Sequence, residues 1–229
     1  MTLCARSSIG QSVWLRTRRF GVRVLTGANT FVPRVILASK SEQRKKLFSC
    51  LNVPFEVIAA DIDERAIRDP DPGRQAERIA RAKAEAVAAK EPGIIIAADT
   101  FCVLGREALE KPRDRQDAIR MLTALSAHTA TCYTGFCYLD RERGIDESAA
   151  TATPFTFRTL DTEEIAAYVD AFPVATWSAA FSPSYPYGMT LVAKINGSFT
   201  GFTHGLPMEL LIPLLARSGI AVKPWPDTT

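Results

Sequence analysis

The chain has 229 residues, 47% hydrophobic and 23% charged, the balance of a globular protein with enough apolar mass to bury a core. No apolar run approaches the roughly 20 residues of a membrane-spanning helix, which excludes a transmembrane protein of that type. The net charge of +3 is uneven: residues 1–34 carry six arginines and no acid, so the chain from Val35 onward is −3, which argues against a nucleic-acid-binding surface on the body.

"RVILAS" (34–39) predicts a short buried strand leading into a loop, and "SEQRKKLFSCL" (41–51) a helix capped by Ser41. "FEVIAA" (55–60) is strand-like, and the polar, Pro-rich 61–73 a loop. "RQAERIARAKAEAVAAK" (74–90) is the clearest helix, rich in Ala and long charged side chains. "GIIIAADT" (93–100) predicts a buried central strand whose C-terminal end presents polar groups. A helix capped by Asp114 (114–126) and two strands, 129–139 and 150–160, follow. Then come a helix with Asp161 and Glu164 at capping-box spacing (161–172), a strand (188–195) and a last helix (206–219). Alternating strands and helices make the class α/β. The Pro-rich tail from Lys223 is expected to fray.

The five cysteines, Cys4, Cys50, Cys102, Cys132 and Cys137, show neither a disulfide framework nor C-x-x-C spacing. They read as reduced thiols in a cytoplasmic protein. His128 and His204 are the only histidines and read as structural or surface residues. No G-x-x-x-x-G-K-[ST], G-x-G-x-x-G or G-x-S-x-G motif is present.

Four stretches carry polar chemistry near strand ends, where α/β proteins bind ligands. "ASKSEQRKK" joins hydroxyls, a helix start and cations into a phosphate cradle, against the plainer reading of a capped basic helix. "DIDE" places Asp61, Asp63 and Glu64 in one loop, suited to Mg²⁺ or Mn²⁺ but equally to an acidic turn. Asp99-Thr100 ends a buried apolar strand, where a carboxylate is costly unless paired, metal-bound or catalytic. Lys111-Pro112 is a cation at a turn. Together they suit metal-assisted phosphoanhydride hydrolysis.

In order and spacing these stretches resemble the Maf family of nucleoside triphosphate pyrophosphatases, from about Val35 to Lys223. The resemblance rests on "LASKSEQR" with Ser39, Ser41 and Arg44, on "DIDE", and on Lys83 in "RIARAKA". It continues through Asp99-Thr100, Lys111-Pro112, Thr134-Gly135 and Gly205-Leu206-Pro207. It implies a Maf/ITPase-like domain over 32–224: a mixed twisted sheet flanked by helices, with two lobes around a central cleft. It also implies cleavage between the α and β phosphates of a nucleoside triphosphate, with Mg²⁺ or Mn²⁺ as cofactor. Asp99 would activate the water, and Glu64 with Asp99 would engage the metal. Arg44, Lys83 and Lys111 would hold the phosphates, and Ser39 and Ser41 would donate to phosphate oxygens. The family commonly forms homodimers; neither nucleic acid nor membrane is an implied partner.

Departures bear on base choice. In the family, branches preferring dTTP and UTP carry Pro-Arg-Arg and Asp-Thr, and a 7-methyl-GTP branch carries Asp-Gln. This chain has Gln43 where the first Arg often sits, yet keeps Thr100. "LSA", ending at Ala127, replaces the usual Leu-Ser-Gly. The late segment "SAAFSPSYPYG" lacks the base-contacting Gln or Glu, leaving Ser184 as the nearest candidate. Two alternatives stay open: a non-catalytic nucleotide-binding module, or a different metal-dependent phosphohydrolase.

The basic start matches an organellar transit peptide or a nucleic-acid arm in composition. The codons that could encode it offer a third account. "GVRV" is encodable by GGG-GTT-CGA-GTC, which contains the T-arm sequence of transfer RNA genes. "RSSIGQS" and "WLRT" fit a D-arm and an anticodon arm. Residues 1–31 are therefore expected to be a translated transfer RNA gene, with the true start near Val32 or Val35.

Overall fold

The computed structural model describes residues 33–222. The expectations for residues 1–31 and for the tail from Lys223 lie outside them.

The described residues form one seven-stranded mixed sheet. Strand β1 (Val35–Leu37) leads through Ser41 into helix α1 (Glu42–Ser49), and the two-residue β2 (Glu56–Val57) pairs parallel with β1. Helix α2 (Pro72–Ala88) starts two residues earlier than the composition suggests. Asp71 caps it by accepting from the Arg74 N–H, and Pro72 occupies the first turn, where its missing N–H costs nothing. The central strand β3 (Ile94–Leu104) runs parallel to β1 and extends four residues past the predicted end. It then returns on itself as the unpredicted β4 (Glu107–Leu109).

Helix α3 (Arg115–Leu125) is capped by Asp114, as expected. Strands β5 (Thr129–Asp140) and β6 (Ile145–Phe157) pair antiparallel over their whole length, β5 also pairing with β3. β6 begins five residues before the predicted start, because pairing with β5 carries the polar stretch 146–148 that alternation alone does not mark. Helix α4 (Thr162–Ala171) has only half of the predicted capping box. Asp161 accepts from the Glu164 N–H, but the Glu164 carboxylate pairs with Arg158 and accepts from the Tyr187 hydroxyl. The predicted strand at 188–195 is a 3₁₀ turn (Gly188–Leu191) followed by β7 (Val192–Ile195). The last predicted helix is preceded by a short helix, α5 (Phe199–His204). Gly205 ends α5 in the left-handed conformation, and α6 (Met208–Arg217) follows.

The sheet order is β2-β1-β3-β5-β6-β7, with β4 also on β3. Side chains alternate across β3. Ile95 and Ala97 pack with Ala80, Ala84 and Val87 of α2 on one face. Ile94, Ile96 and Ala98 pack with Phe48 of α1 and Leu211 and Leu215 of α6 on the other. A separate apolar cluster joins the far half of β3 and β4 to α3, α4 and Phe181. The long strands β3, β5 and β6 thus pass through two packed regions, the two lobes expected.

Candidate functional site

One edge of β3 is paired with β5 from Ile94 to Val103. The other edge pairs with β1 only at Ile94–Ile96 and with β4 only at Cys102–Leu104. Among the described residues no strand covers that edge between, and Asp99 and Thr100 stand in this gap. It lies beyond the carboxyl ends of the parallel strands β1 and β2, the position at which open α/β sheets bind ligands. β4 runs antiparallel to β3 and ends at Leu109, opposite Cys102 and two residues before Lys111. Lys111 is exposed and has no ion-pair partner among the described residues.

Alternation sends the Asp99 side chain to the α2 face. There the Lys83 Nζ donates to Asp99 Oδ1 at 2.7 Å and lies 2.9 Å from Glu64 Oε2. The pair is mostly enclosed, with side-chain exposures of 11% for Lys83 and 13% for Asp99, whereas Glu64 is 51% exposed. Lys83 falls two turns after Ala76, on the helix face that also buries Ala80 and Val87. That face sits against β5 where Gly135, the residue opposite Asp99, has no side chain. A Cβ on Gly135 would come within 2.0 Å of the Ala76 carbonyl oxygen. The close approach of helix and strand is what brings Lys83 to Asp99.

Thr100 points to the opposite face, toward Arg44 in the first turn of α1. Arg44 is 9% exposed and held on three sides. Its Nε donates to the Gly205 carbonyl at 2.8 Å, Nη1 to Ser39 Oγ at 3.1 Å and Nη2 to Thr100 Oγ1 at 3.0 Å. A guanidinium has five N–H groups, so two are left over. Burial pulls the Arg44 pKa below its ordinary value, and the charges of Asp99 and Glu64 oppose that pull. Gly205 closes this side with φ +67°; a Cβ there would lie 2.7 Å from Thr100 Oγ1 and 3.1 Å from Arg44 Nη2.

The two serines of the predicted cradle differ. Ser39 Oγ accepts from both Arg44 Nη1 and the Ser41 N–H, so its lone pairs are taken and its proton is free to be donated. Ser41 Oγ caps α1 by accepting from the Arg44 N–H, and its proton goes to Gln43 Oε1 at 3.2 Å. The Ser41 hydroxyl therefore has its proton committed to Gln43 and a lone pair to the helix cap.

Comparison with family models identifies the family of the chain. A family model described as Maf-like protein matches residues 34–218. The chain belongs to the Maf-like family. It is 39% identical to a dTTP/UTP pyrophosphatase of Myxococcus xanthus over 196 residues, covering 83% of this chain and 95% of that one. It is 33% identical to a 7-methyl-GTP pyrophosphatase of Pseudoalteromonas translucida over 191 residues, 82% and 93% of the two chains. A dTTP/UTP pyrophosphatase of Anaeromyxobacter dehalogenans is 37% identical over 196 residues, 84% and 97%.

Of the predicted site residues of this Maf-like chain, the gap gathers Ser39, Arg44, Glu64, Lys83, Asp99 and Thr100, while Lys111 follows the end of β4 and is joined to them by no hydrogen bond among the described residues. Ser184 is not joined to them by any hydrogen bond among the described residues; its hydroxyl pairs with that of Ser182 at 2.9 Å. The loop that carries it is tied to the gap by an unpredicted residue. Ser178 Oγ accepts from the Cys102 N–H and donates to the Leu109 carbonyl, bridging β3 to the end of β4. Ala179 and Ala180 follow, both at φ 58°, a conformation that costs a non-glycine residue about 1–2 kcal/mol and persists where surrounding contacts impose it. Nothing in the local sequence marks Ser178, because its partners come from two other strands. A cavity of about 260 Å³ at the β5–β6 turn, lined by Glu85, Arg141 and Asp146 among others, shares no residue with the gap. Among the described residues no helix is long and apolar enough to cross a membrane.

Proposed function

We propose that this chain hydrolyses a nucleoside triphosphate to the monophosphate and pyrophosphate, with the triphosphate in the gap of β3. One observation carries the proposal. A Maf-like chain, with relatives named pyrophosphatases, places a lysine-held carboxylate and a buried, three-point-anchored arginine on opposite faces of adjacent residues at that gap.

The chemistry assigned to the residues follows from their surroundings. A water attacking the α phosphorus transfers its proton to Asp99 as the bond to the bridging oxygen breaks and pyrophosphate leaves. Lys83 orients the Asp99 carboxylate, and general-base assistance of this kind contributes about 10²–10⁴ in rate. On the other face, the two remaining N–H groups of Arg44 and the uncommitted Ser39 hydroxyl donate to phosphate oxygens, while Lys111 adds charge from the β4 side. Such fixed donors stabilise charge on the leaving group without reorganising during the reaction.

Asp99 and Glu64 meet the Lys83 ammonium through Oδ1 and Oε2, which leaves Oδ2 and Oε1 without a hydrogen-bond partner among the described residues. That all-oxygen pair fits Mg²⁺ or Mn²⁺, which take one or two carboxylates and complete their shell with water and phosphate. Among the described residues no group of three or more His, Cys, Asp or Glu side chains converges, so the remaining ligands would be of that kind. When bound, the ion would neutralise phosphate charge and polarise the scissile anhydride.

The test is a product assay over a nucleotide panel that includes dTTP, UTP and 7-methyl-GTP, with Mg²⁺ or Mn²⁺. Pyrophosphate together with a nucleoside monophosphate is the expected result. Orthophosphate in place of pyrophosphate, or no turnover of any nucleotide, would overturn it.

A further inference from the structure

Behind Arg44 the hydrogen bonds close into a ring. Thr134 Oγ1 is buried and donates to the Gly201 carbonyl at 2.9 Å. It has one proton, and a carbonyl can only accept, so its oxygen must accept in its 3.3 Å contact with Thr100 Oγ1. Thr100 is thereby the donor in that contact, and its own oxygen accepts from Arg44 Nη2. On the other branch, Arg44 Nε donates to the Gly205 carbonyl, and the Gly205 N–H returns to the same Gly201 carbonyl. The directions of donation are all determined, and both branches drain into one acceptor.

We propose that Thr134 is a positioning residue for Arg44. By consuming the Thr100 proton and tying it to α5, Thr134 leaves only the Thr100 lone pairs facing Arg44. The Thr100 oxygen is then fixed as the acceptor for Nη2, the third anchor of the guanidinium beside the Gly205 carbonyl and Ser39. The inference rests on the proposed function for its meaning in catalysis, but its structural content is measurable without turnover.

Thr134→Val keeps the shape and removes the hydroxyl, and Thr134→Ser restores it without the methyl. Pyrophosphate binding measured by calorimetry is expected to weaken about 10- to 100-fold in T134V, with recovery to within about threefold of wild type in T134S. KM for the cleaved nucleotide should rise in parallel, with kcat affected less. Nitrogen NMR of the Arg44 side chain, assigned by its loss in Arg44→Lys, should show separate Nη proton signals in wild type and T134S and averaged signals in T134V. Tyr138→Phe, which deletes the buried Tyr138–Ser218 bond on the same strand, serves as the stability control and should leave pyrophosphate affinity unchanged. If T134V does not fold, Thr100→Val opens the ring at the next link and should give the same NMR averaging. The proposal is overturned if T134V retains wild-type pyrophosphate affinity and resolved Arg44 signals, if T134S is as impaired as T134V, or if Tyr138→Phe weakens pyrophosphate equally. Absence of nucleotide turnover in wild type, with the NMR result as expected, would remove the proposed function and leave the positioning role standing.

Discussion

Gly135→Ala tests whether the helix-to-strand distance sets the Lys83–Asp99 pair. A Cβ at Gly135 would lie 2.0 Å from Ala76 O, 2.1 Å from Ala76 C and 2.5 Å from Glu77 N. All three are backbone atoms, so no side chain can rotate away. Relieving the contact requires α2 to retreat from β5 by about 1 Å, because real Cβ atoms essentially never approach closer than 3.0 Å. Such a retreat stretches the 2.7 Å Lys83–Asp99 bond past hydrogen-bonding range and loosens the packing of Ala80 and Ala84. Overpacking of this kind costs about 1–3 kcal/mol, and a bond between charged groups contributes about 1.5–3 kcal/mol more. A loss of about 2.5–6 kcal/mol in urea unfolding is therefore expected, together with a fall in kcat that persists at temperatures where the variant remains folded. A midpoint within about 0.2 M of wild type, with normal kcat, would refute the account of why this glycine is there.

Three further outcomes are expected. Asp99→Asn should lower kcat by about 10²–10⁴ while pyrophosphate, bound from the Arg44 side, keeps most of its affinity by calorimetry; an equal loss in both would move Asp99 out of the base role. Asp117 is held at a pKa of about 2, first by the Arg113 backbone N–H and then by the Arg120 side chain. Its contribution to stability is thus complete above about pH 4 and lost as pH falls from there toward 2. Urea midpoints at pH 6 and pH 3 should differ less in Asp117→Asn than in wild type, and equal differences would exclude this linkage. Ser178→Ala strands the Cys102 N–H and the Leu109 carbonyl and should cost about 1–3 kcal/mol in urea unfolding. KM should rise with it, since the β4 exit carries Lys111; a stable variant with unchanged KM would show that the bridge positions nothing.

Local rules carried far into this structure where the partner lies nearby in the chain. Ser41, Asp114 and Asp161 cap their helices because a cap and its N–H are three residues apart. The apolar run ending in Asp99-Thr100 announces a buried strand with chemistry at its end, since an unpaired carboxylate there would be costly. Elsewhere the deciding partner is remote. β4 is three residues of unremarkable pattern that exist because the free half-edge of β3 accepts them. Helix α5 has only six residues, with three hydroxyls or glycines among them, and its identity comes from Ser198 at one end and Gly205 at the other. The proton of Ser41 could go to a phosphate as readily as to Gln43 from the sequence, and only the side-chain positions assign it. Lys83 and Asp99 are 16 residues apart on different elements, and their contact depends on Gly135, which is distant from both in the chain.

The adjacency of Asp99 and Thr100 has a consequence for how a ligand enters. Consecutive strand residues face opposite sides of a sheet, so the carboxylate and the arginine anchor cannot both be reached from one face. From the α2 side the approach is closed by Lys83 and the Ala-rich helix face packed on β3 and β5; from the other it is closed by α1 and the Gly205 turn. Only the bare edge of β3 between Ala97 and Phe101 opens to both, and five residues at the strand rise give about 16 Å of it. That edge exists because β1 stops at Leu37, the Ala38 N–H making the last bond to β3 at the Ile96 carbonyl before the chain turns toward α1, and because β4 stops at Leu109. Lengthening β1 would seal the gap with backbone hydrogen bonds that are individually favourable. The short strand is thus where local sheet stability gives way to the opening in which residues from both faces can meet one ligand.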